Sequence, residues 1–532
     1  MSHWQERPLL AILILLFIFG FLYFFRLGQP SLWEEDEAIY AEIGREMFES
    51  GDLVGTFFSY TPRFDKPPLT FWLMALAYCL FGVNEFAVRF FSAVLGLAGL
   101  FLLYAMIRKT HGQQVACSSA LILGSCLEYP LLAMGGVTDI PLTFFTILTF
   151  YGLWRAYLHE EPWSYLLAGF AAALATLTKG PIGLFLPGGT FALLVAIDLF
   201  TRHPVRRKIF CLPLLLAFIL YLILVIPWYL AMWHRFGQDF LAQNFGYHMF
   251  TRFTRAIESH GGPFYYYLLL IFVALLPWSA GLIGGIREAF TRRRERINLL
   301  LLTWLGFYLF FFSLSRTKLP NYLLPALPPA AVCTALWWEK FREKQQAGRE
   351  RWFLPMALIG TGILMAGVLW TLRARVPSDY LGLYRALFFA PFVFAGLGLA
   401  MLIFILLTGR PAVIYAGFTL LAIFGWLGIK LAILPCLEPY KPTKRLAQAI
   451  AARWRPGEKI ASTTHEFSGL PFYLRRKVDY VSFSEAKELL ASEERGYLAA
   501  RSEETERLKK EVPETVLLLD LGRGDLLSNR TD

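Results

Sequence analysis

The sequence predicts a polytopic α-helical membrane protein of about thirteen transmembrane helices, closed by a soluble α/β domain. Three observations lead there. Of its 532 residues, 56% are hydrophobic and only 17% charged, against roughly 25% charged in a soluble globular protein. Apolar stretches long enough to cross a bilayer recur from Leu9 to Leu434. From about Lys441 the composition changes to short β-branched runs alternating with charged helical stretches.

The first apolar run, Pro8 to Phe25, is long, ends in aromatics and lacks a small-residue cleavage site. It reads as a retained helix and not as a removed leader. Further spans are expected at 86–107, 113–131, 139–158, 163–179, 181–200, 209–233, 263–284, 298–314, 322–338, 353–372, 385–407 and 412–434. The basic loops test that phasing. Arg108/Lys109, Arg202 with Arg206–Lys208, Arg292–Arg296 and the Lys340–Arg351 stretch all fall on one side, which the positive-inside rule makes cytoplasmic. The segment 67–82, "PPLTFWLMALAYCLFG", would break the phasing if it crossed, and it is short. It is expected to be a re-entrant or interfacial helix. The net charge of +11 lies mostly in these short loops, so it does not suggest nucleic acid. Six scattered cysteines without a CxxC pair read as packing residues and not as a disulfide framework or metal site. The C-terminal region carries no GxGxxG or P-loop pattern, so no nucleotide is assigned, and "ETVLLLDLG" reads as a buried strand.

With this phasing, the unusual polar residues gather in the outer-face segments 27–85, 132–139, 179–181, 234–262, 315–321 and 373–384. Ionisable residues at membrane depth are costly and usually mark function. The stretch "SLWEEDEAIYAEIGREMFESGD" (31–52) carries four consecutive acids. Ser31 and Glu34 form a capping-box pattern, and Gly51 fits a helix stop. Helical phase puts Asp36, Ile39, Tyr40, Ile43 and Met47 on one face, with Glu35, Glu42, Glu46 and Glu49 on a solvated one. Glu34, Glu35 and Glu37 then start the helix and meet water. Asp36 heads the apolar face; it is either a site residue or one more helix-start acid. Each remaining candidate has a plain alternative. Lys66 before two prolines could snorkel, and Asp139 could be an N-cap. Lys179 and Lys318 could mark helix ends, and His248 and His260 could be satisfied loop histidines. Their convergence on one face suggests a site for an anionic, lipid-borne substrate.

Six segments, "EDEAIYAEIGREMFESGDLV", "DKPPLTFWLMALAYCLFG", "TDIPLTFF", "TKGPIGLFLP", "HGGPFYYY" and "RTKLPNYLLPALPP", occur in order over residues 30–330. Together they resemble the GT-C glycosyltransferases of the protein O-mannosyltransferase superfamily, most of all the bacterial 4-amino-4-deoxy-L-arabinose lipid A transferases (ArnT-like enzymes). The resemblance implies a transmembrane catalytic domain (1–437) with periplasmic loops 27–85 and 234–262, and a periplasmic α/β domain (438–532), in the bacterial inner membrane. It implies an inverting transferase that moves a sugar from undecaprenyl phosphate to lipid A. Another lipid-linked sugar or acceptor, and a lipid-linked sugar transporter or flippase, are the competing readings. A transporter predicts repeated halves with broken helices, and no internal repeat is visible. The family's catalytic acids fall on Asp36, Glu37 and Asp139. The resemblance places the donor phosphate among Lys66, Arg252, Arg255, Lys318 and Tyr322. It also allows a divalent metal (zinc, magnesium or manganese) at Asp65 and His260, although the family usually has Glu where Asp65 stands.

Overall fold

The protein is represented by a computed structural model, which describes residues 8–201, 211–244, 261–344 and 412–530, with isolated positions 209 and 246 and scattered ones between 359 and 403. Helices α1 (Pro8–Phe24), α2 (Asp36–Ser50), α3 (Leu69–Phe81), α4 (Glu85–Ser125), α5 (Glu128–Ala133), α6 (Asp139–Leu153), α7 (Ser164–Lys179) and α8 (Ile182–Phe200) open the chain. Among the described residues, five helices are long and apolar enough to cross a membrane. They are Glu85–Ser125, Ile182–Phe200, Leu212–Asn244, Arg296–Leu314 and Gly417–Tyr440. The pair Tyr266–Ala274 and Trp278–Thr291, bent by 119°, adds a sixth if taken as one broken span. Expected spans 353–372 and 385–407 fall largely outside the described residues.

The contacts sort the chain into two compact units. The first comprises residues 1–25, 64–69 and 92–433, and the second 26–63, 70–91 and 434–532. In the first unit, α6 packs on α7, and α7 on α8 and on Leu212–Leu241. Small residues allow that closeness: a Cβ on Gly169 would lie 2.3 Å from the Ala217 carbonyl oxygen. The element α4 breaks at Gly112, at a φ of 82° that suits glycine, so the two predicted spans 86–107 and 113–131 are separate helices. The second of them ends at Ser125, earlier than the hydropathy pattern suggests, because Pro130 and the short α5 follow.

In the second unit, α2 and α3 share a core with the C-terminal region. Leu32, Ile39, Tyr40, Ile43, Met47, Phe71, Met74 and Tyr78 pack with Phe472. The apolar face predicted for α2 is therefore the buried one. Segment 67–82 forms α3, whose 13 residues are too few to cross a bilayer. The C-terminal domain is α/β, as its composition predicts. Its strands β3 (Lys459–Ser462), β4 (Asp479–Tyr480), β5 (Gly496–Ala500), β6 (Val516–Asp520) and β7 (Asp525–Ser528) form one sheet in the order β4-β3-β5-β7-β6, and a two-stranded hairpin, β1 (Phe57–Phe58) and β2 (Thr61–Pro62), lies earlier in the chain. The strand read from "ETVLLLDLG" is β6, but it is the sheet edge and only partly buried; β7 and β5 are the fully buried strands. None of the six cysteines forms a disulfide; Cys126 and Cys333 are buried packing residues, whereas Cys79 and Cys436 are exposed.

Candidate active site

The acidic stretch is built differently from its capping-box pattern. Helix α2 begins at Asp36, and the residue before it, Glu35, has φ 63° and no side-chain cap. Such a backbone costs on the order of 1–3 kcal/mol and persists only where neighbours enforce it. Here they do: the Glu35 amide donates to Ser468 Oγ at 2.7 Å. Glu34 is no capping partner either. It accepts from Ser468 Oγ at 3.2 Å and from the Gly469 amide at 3.1 Å.

Arg89, which the sequence reading did not single out, fixes the rest. Its guanidinium forms two 2.8 Å bonds to Glu37 and donates to the carbonyls of Leu27, Pro30 and Ser31 at 2.8–3.0 Å. Arg89 and Glu37 are both 2% exposed. Glu37 also accepts the Trp33 amide at 2.8 Å. Its carboxylate is committed to the fold, so the expectation that it meets water is corrected. A lone arginine inside the apolar run "EFAVRFFSAV" was the available signal. This scaffold leaves Asp36 exposed, as it does Glu35. Asp36 is more exposed than its place on the apolar face predicts, and accepts from the Tyr40 hydroxyl at 3.1 Å.

Glu42 and Glu46, expected on a solvated face, are instead buried. Arg45, fully buried between them, holds Glu42 through two 2.7 Å bonds and also reaches Glu49. Glu46 accepts the Tyr60 amide at 3.0 Å. Burial first, and the neighbouring Glu42 second, push the Glu46 carboxyl up to about 8; burial alone pushes Glu34 up, to about 7. Both then hold protons that the unfolded chain, at about 4.5, has released. The sign follows: stability conferred by these groups is full below pH 4.5 and falls as pH rises through about 7 and 8. Each contributes at most about 1.4 kcal/mol per pH unit over that window. Glu34→Gln and Glu46→Gln should flatten the decline in thermal midpoint between pH 4.5 and 8.5. An unchanged slope in both variants would refute the assignment.

In the first unit, three sequence motifs meet at one carboxylate. Asp139 is the first residue of α6 and 1% exposed. Its Oδ1 accepts from Lys179 Nζ at 2.5 Å and its Oδ2 from Asn321 Nδ2 at 3.0 Å. Gly180, with φ 81°, ends α7 directly after Lys179 and turns the chain there. The Lys179 ammonium also lies 5.0 Å from the centre of the Tyr322 ring. "TDIP", "TKGP" and "RTKLPNY" thus form one cluster, and the Asp139 carboxylate serves it rather than a helix cap. Lys179→Met should strand the buried carboxylate and cost about 3 kcal/mol, read as a lower thermal midpoint in detergent that Lys179→Arg largely restores. Equal midpoints for all three proteins would show that the pair holds nothing together.

Lys318 is buried, and its ammonium donates to the carbonyls of Phe312 and Ser313 at 2.9 and 2.7 Å, capping the end of helix Arg296–Leu314. The helix-end reading therefore describes it. Lys66 is half-buried, with Nζ 3.3 Å from the Asp65 carbonyl. Arg252, Arg255, His248 and His260 lie outside the described residues. Among the described residues, no group of three or more His, Cys, Asp or Glu side chains could hold a metal ion; His260, the expected partner of Asp65, lies outside them.

Beside the Asp139 cluster stands Glu128, the first residue of α5, which sequence reasoning also missed. A lone carboxylate inside an expected span was the signal. Helix α5 packs on α6 and on the turn Pro320–Ala326, which carries Asn321 and Tyr322. Glu128 is 8% exposed, and neither of its carboxylate oxygens has a hydrogen-bond partner among the described residues. Burial, and then the Asp139 charge, push it up to about 8.

The first unit is a largely apolar helical bundle with a buried acid–lysine–asparagine cluster, and the fold is that of the GT-C class. Three comparisons show what the chain is similar to. Residues 65–233 match the family described as dolichyl-phosphate-mannose-protein mannosyltransferase. The undecaprenyl phosphate-α-4-amino-4-deoxy-L-arabinose arabinosyl transferase of Pseudomonas aeruginosa (strain UCBPP-PA14) is 31% identical over 383 residues, 70% of this chain and 66% of that protein. An uncharacterised protein of Aquifex aeolicus is 31% identical over 59% of this chain and 61% of its own length. The matched stretches thus span just under two thirds of these relatives. The crystal structure of ArnT from Cupriavidus metallidurans bound to undecaprenyl phosphate shares the fold, with TM-score 0.81 over 98% of both chains at 21% identity. The archaeal oligosaccharyltransferase AglB from Archaeoglobus fulgidus follows at 0.56, over 96% of this chain and 71% of that one.

Proposed function

We propose that this protein transfers a sugar from undecaprenyl phosphate to an acceptor at the periplasmic face of the bacterial inner membrane, and that the pair is 4-amino-4-deoxy-L-arabinose and lipid A. The observation that carries the reading is the meeting of three motifs at Asp139, Lys179 and Asn321. The names of the Pseudomonas relatives and the fold shared with ArnT support the substrate pair. The proposal includes thirteen spans, an outer location for residues 27–85 and the C-terminal domain, and inversion at the anomeric carbon by direct displacement.

The chemistry needs little covalent assistance from the protein. The polyprenyl phosphate leaves as an anion, and fixed cations stabilise the charge it develops. Lys66, Arg252 and Arg255 are proposed for that task. Tyr322, stacked with Lys179, is proposed beside the leaving phosphate. Lys318 contributes less, because two of its three donors serve a helix end. A lipid A phosphate is already ionised, so it needs no general base. Asp36 then orients the acceptor or stabilises positive charge developing on the sugar; with a hydroxyl acceptor it would take the proton.

The test is lipid A mass spectrometry from cells lacking the protein, expressing it, or expressing Asp36→Asn. A gain of one aminopentose only with the unaltered protein supports the substrate pair. No gain, with donor lipid present and protein in the membrane, rejects it.

A further inference from the structure

A buried carboxylate with neither oxygen satisfied is costly, yet Glu128 is held in that state by a firmly placed backbone. The next residue, Tyr129, is fully buried and donates its hydroxyl to the Gly96 carbonyl at 2.8 Å. Asp139, its neighbour, has one oxygen engaged by Lys179 and the other by Asn321. Two acids thus stand at one cluster, one neutralised by the protein and one with both oxygens available among the described residues.

From this geometry we infer that Glu128 is a binding site for a cationic amino group of the substrate sugar, and that it sets the enzyme's preference for an amino sugar over a neutral one. A primary ammonium brings a positive charge and three N–H donors to two unsatisfied acceptor oxygens. A hydroxyl brings one donor and no charge. Binding pairs the carboxylate with the ammonium, so the two charges balance. The inference rests on the aminopentose reading above and deepens it.

The test uses the full-length protein reconstituted in liposomes with two donors: undecaprenyl phosphate carrying the aminopentose, and the same lipid carrying the pentose with a hydroxyl in place of the amino group. The unaltered protein should prefer the amino donor. Glu128→Gln keeps the shape of the side chain and should lose about ten- to a hundred-fold in kcat/KM for the amino donor, with little change for the hydroxyl donor, so that discrimination collapses. Its thermal midpoint should equal or exceed that of the unaltered protein, because a buried ionisable group has been removed. Wild-type discrimination retained by Glu128→Gln overturns the inference and leaves the transferase reading intact. Failure of the unaltered protein to use the amino donor at all overturns both. If Glu128→Gln does not fold, Glu128→Asp, which keeps the charge but withdraws it, decides: a weakened amino preference supports the site, and an unchanged one overturns it.

Discussion

Asp36→Asn should reduce sugar transfer by about 10²- to 10³-fold, the usual cost of removing one group aimed at charge that develops in the transition state. The protein should otherwise stay intact. Asp36 is exposed, and among the described residues its side chain accepts from Tyr40, which asparagine's carbonyl can still serve. The thermal midpoint should therefore shift little while turnover collapses. Turnover within a few-fold of the unaltered protein, measured on membranes of equal protein content, would remove Asp36 from the mechanism. The pairing of an unchanged midpoint with lost activity separates this residue from its neighbour Glu37, for which both should fall together.

That contrast also shows what was legible in the sequence. Hydropathy and basic-loop phasing are bulk properties, so the long apolar helices, the short α3 and the α/β character of the C-terminal domain could be read directly. The apolar face of α2 was equally plain from its period, and Ile39, Tyr40, Ile43 and Met47 are all buried. What could not be read was the environment of the acids. Helical phase assumes one buried and one wet face, but residues 37–47 of α2 are buried all round. The covering groups come from far along the chain: Phe472 packs on the apolar face, Ser468 and Gly469 hold the residues before it, and Arg89 holds Glu37. No local pattern announces partners 52 or 433 residues away. The Asp139 cluster lies between these cases. Its three motifs were visible, yet their meeting at a single carboxylate depends on how α6, α7 and the turn at Asn321 pack.

The same reasoning makes Arg89 the residue whose loss should damage the fold most. Arg89→Met strands the Glu37 carboxylate and leaves the carbonyls of Leu27, Pro30 and Ser31 without their buried donor. Removing one partner of a buried pair typically costs about 3–5 kcal/mol, and the stranded carbonyls add to that. Glu37→Gln should cost less, since a glutamine oxygen at the Oε2 position still accepts from Arg89 Nη2 and from the Trp33 amide. In the combined Glu37→Leu, Arg89→Met protein no unpaired charge remains, so it should be more stable than Arg89→Met alone, though less stable than the unaltered chain. A double-mutant cycle on thermal midpoints in detergent measures this. Additive losses would mean the pair is not coupled. Arg89→Met with an unchanged midpoint but no activity would instead move Arg89 from the scaffold into the site, and the exposure of Asp36 would then need another cause.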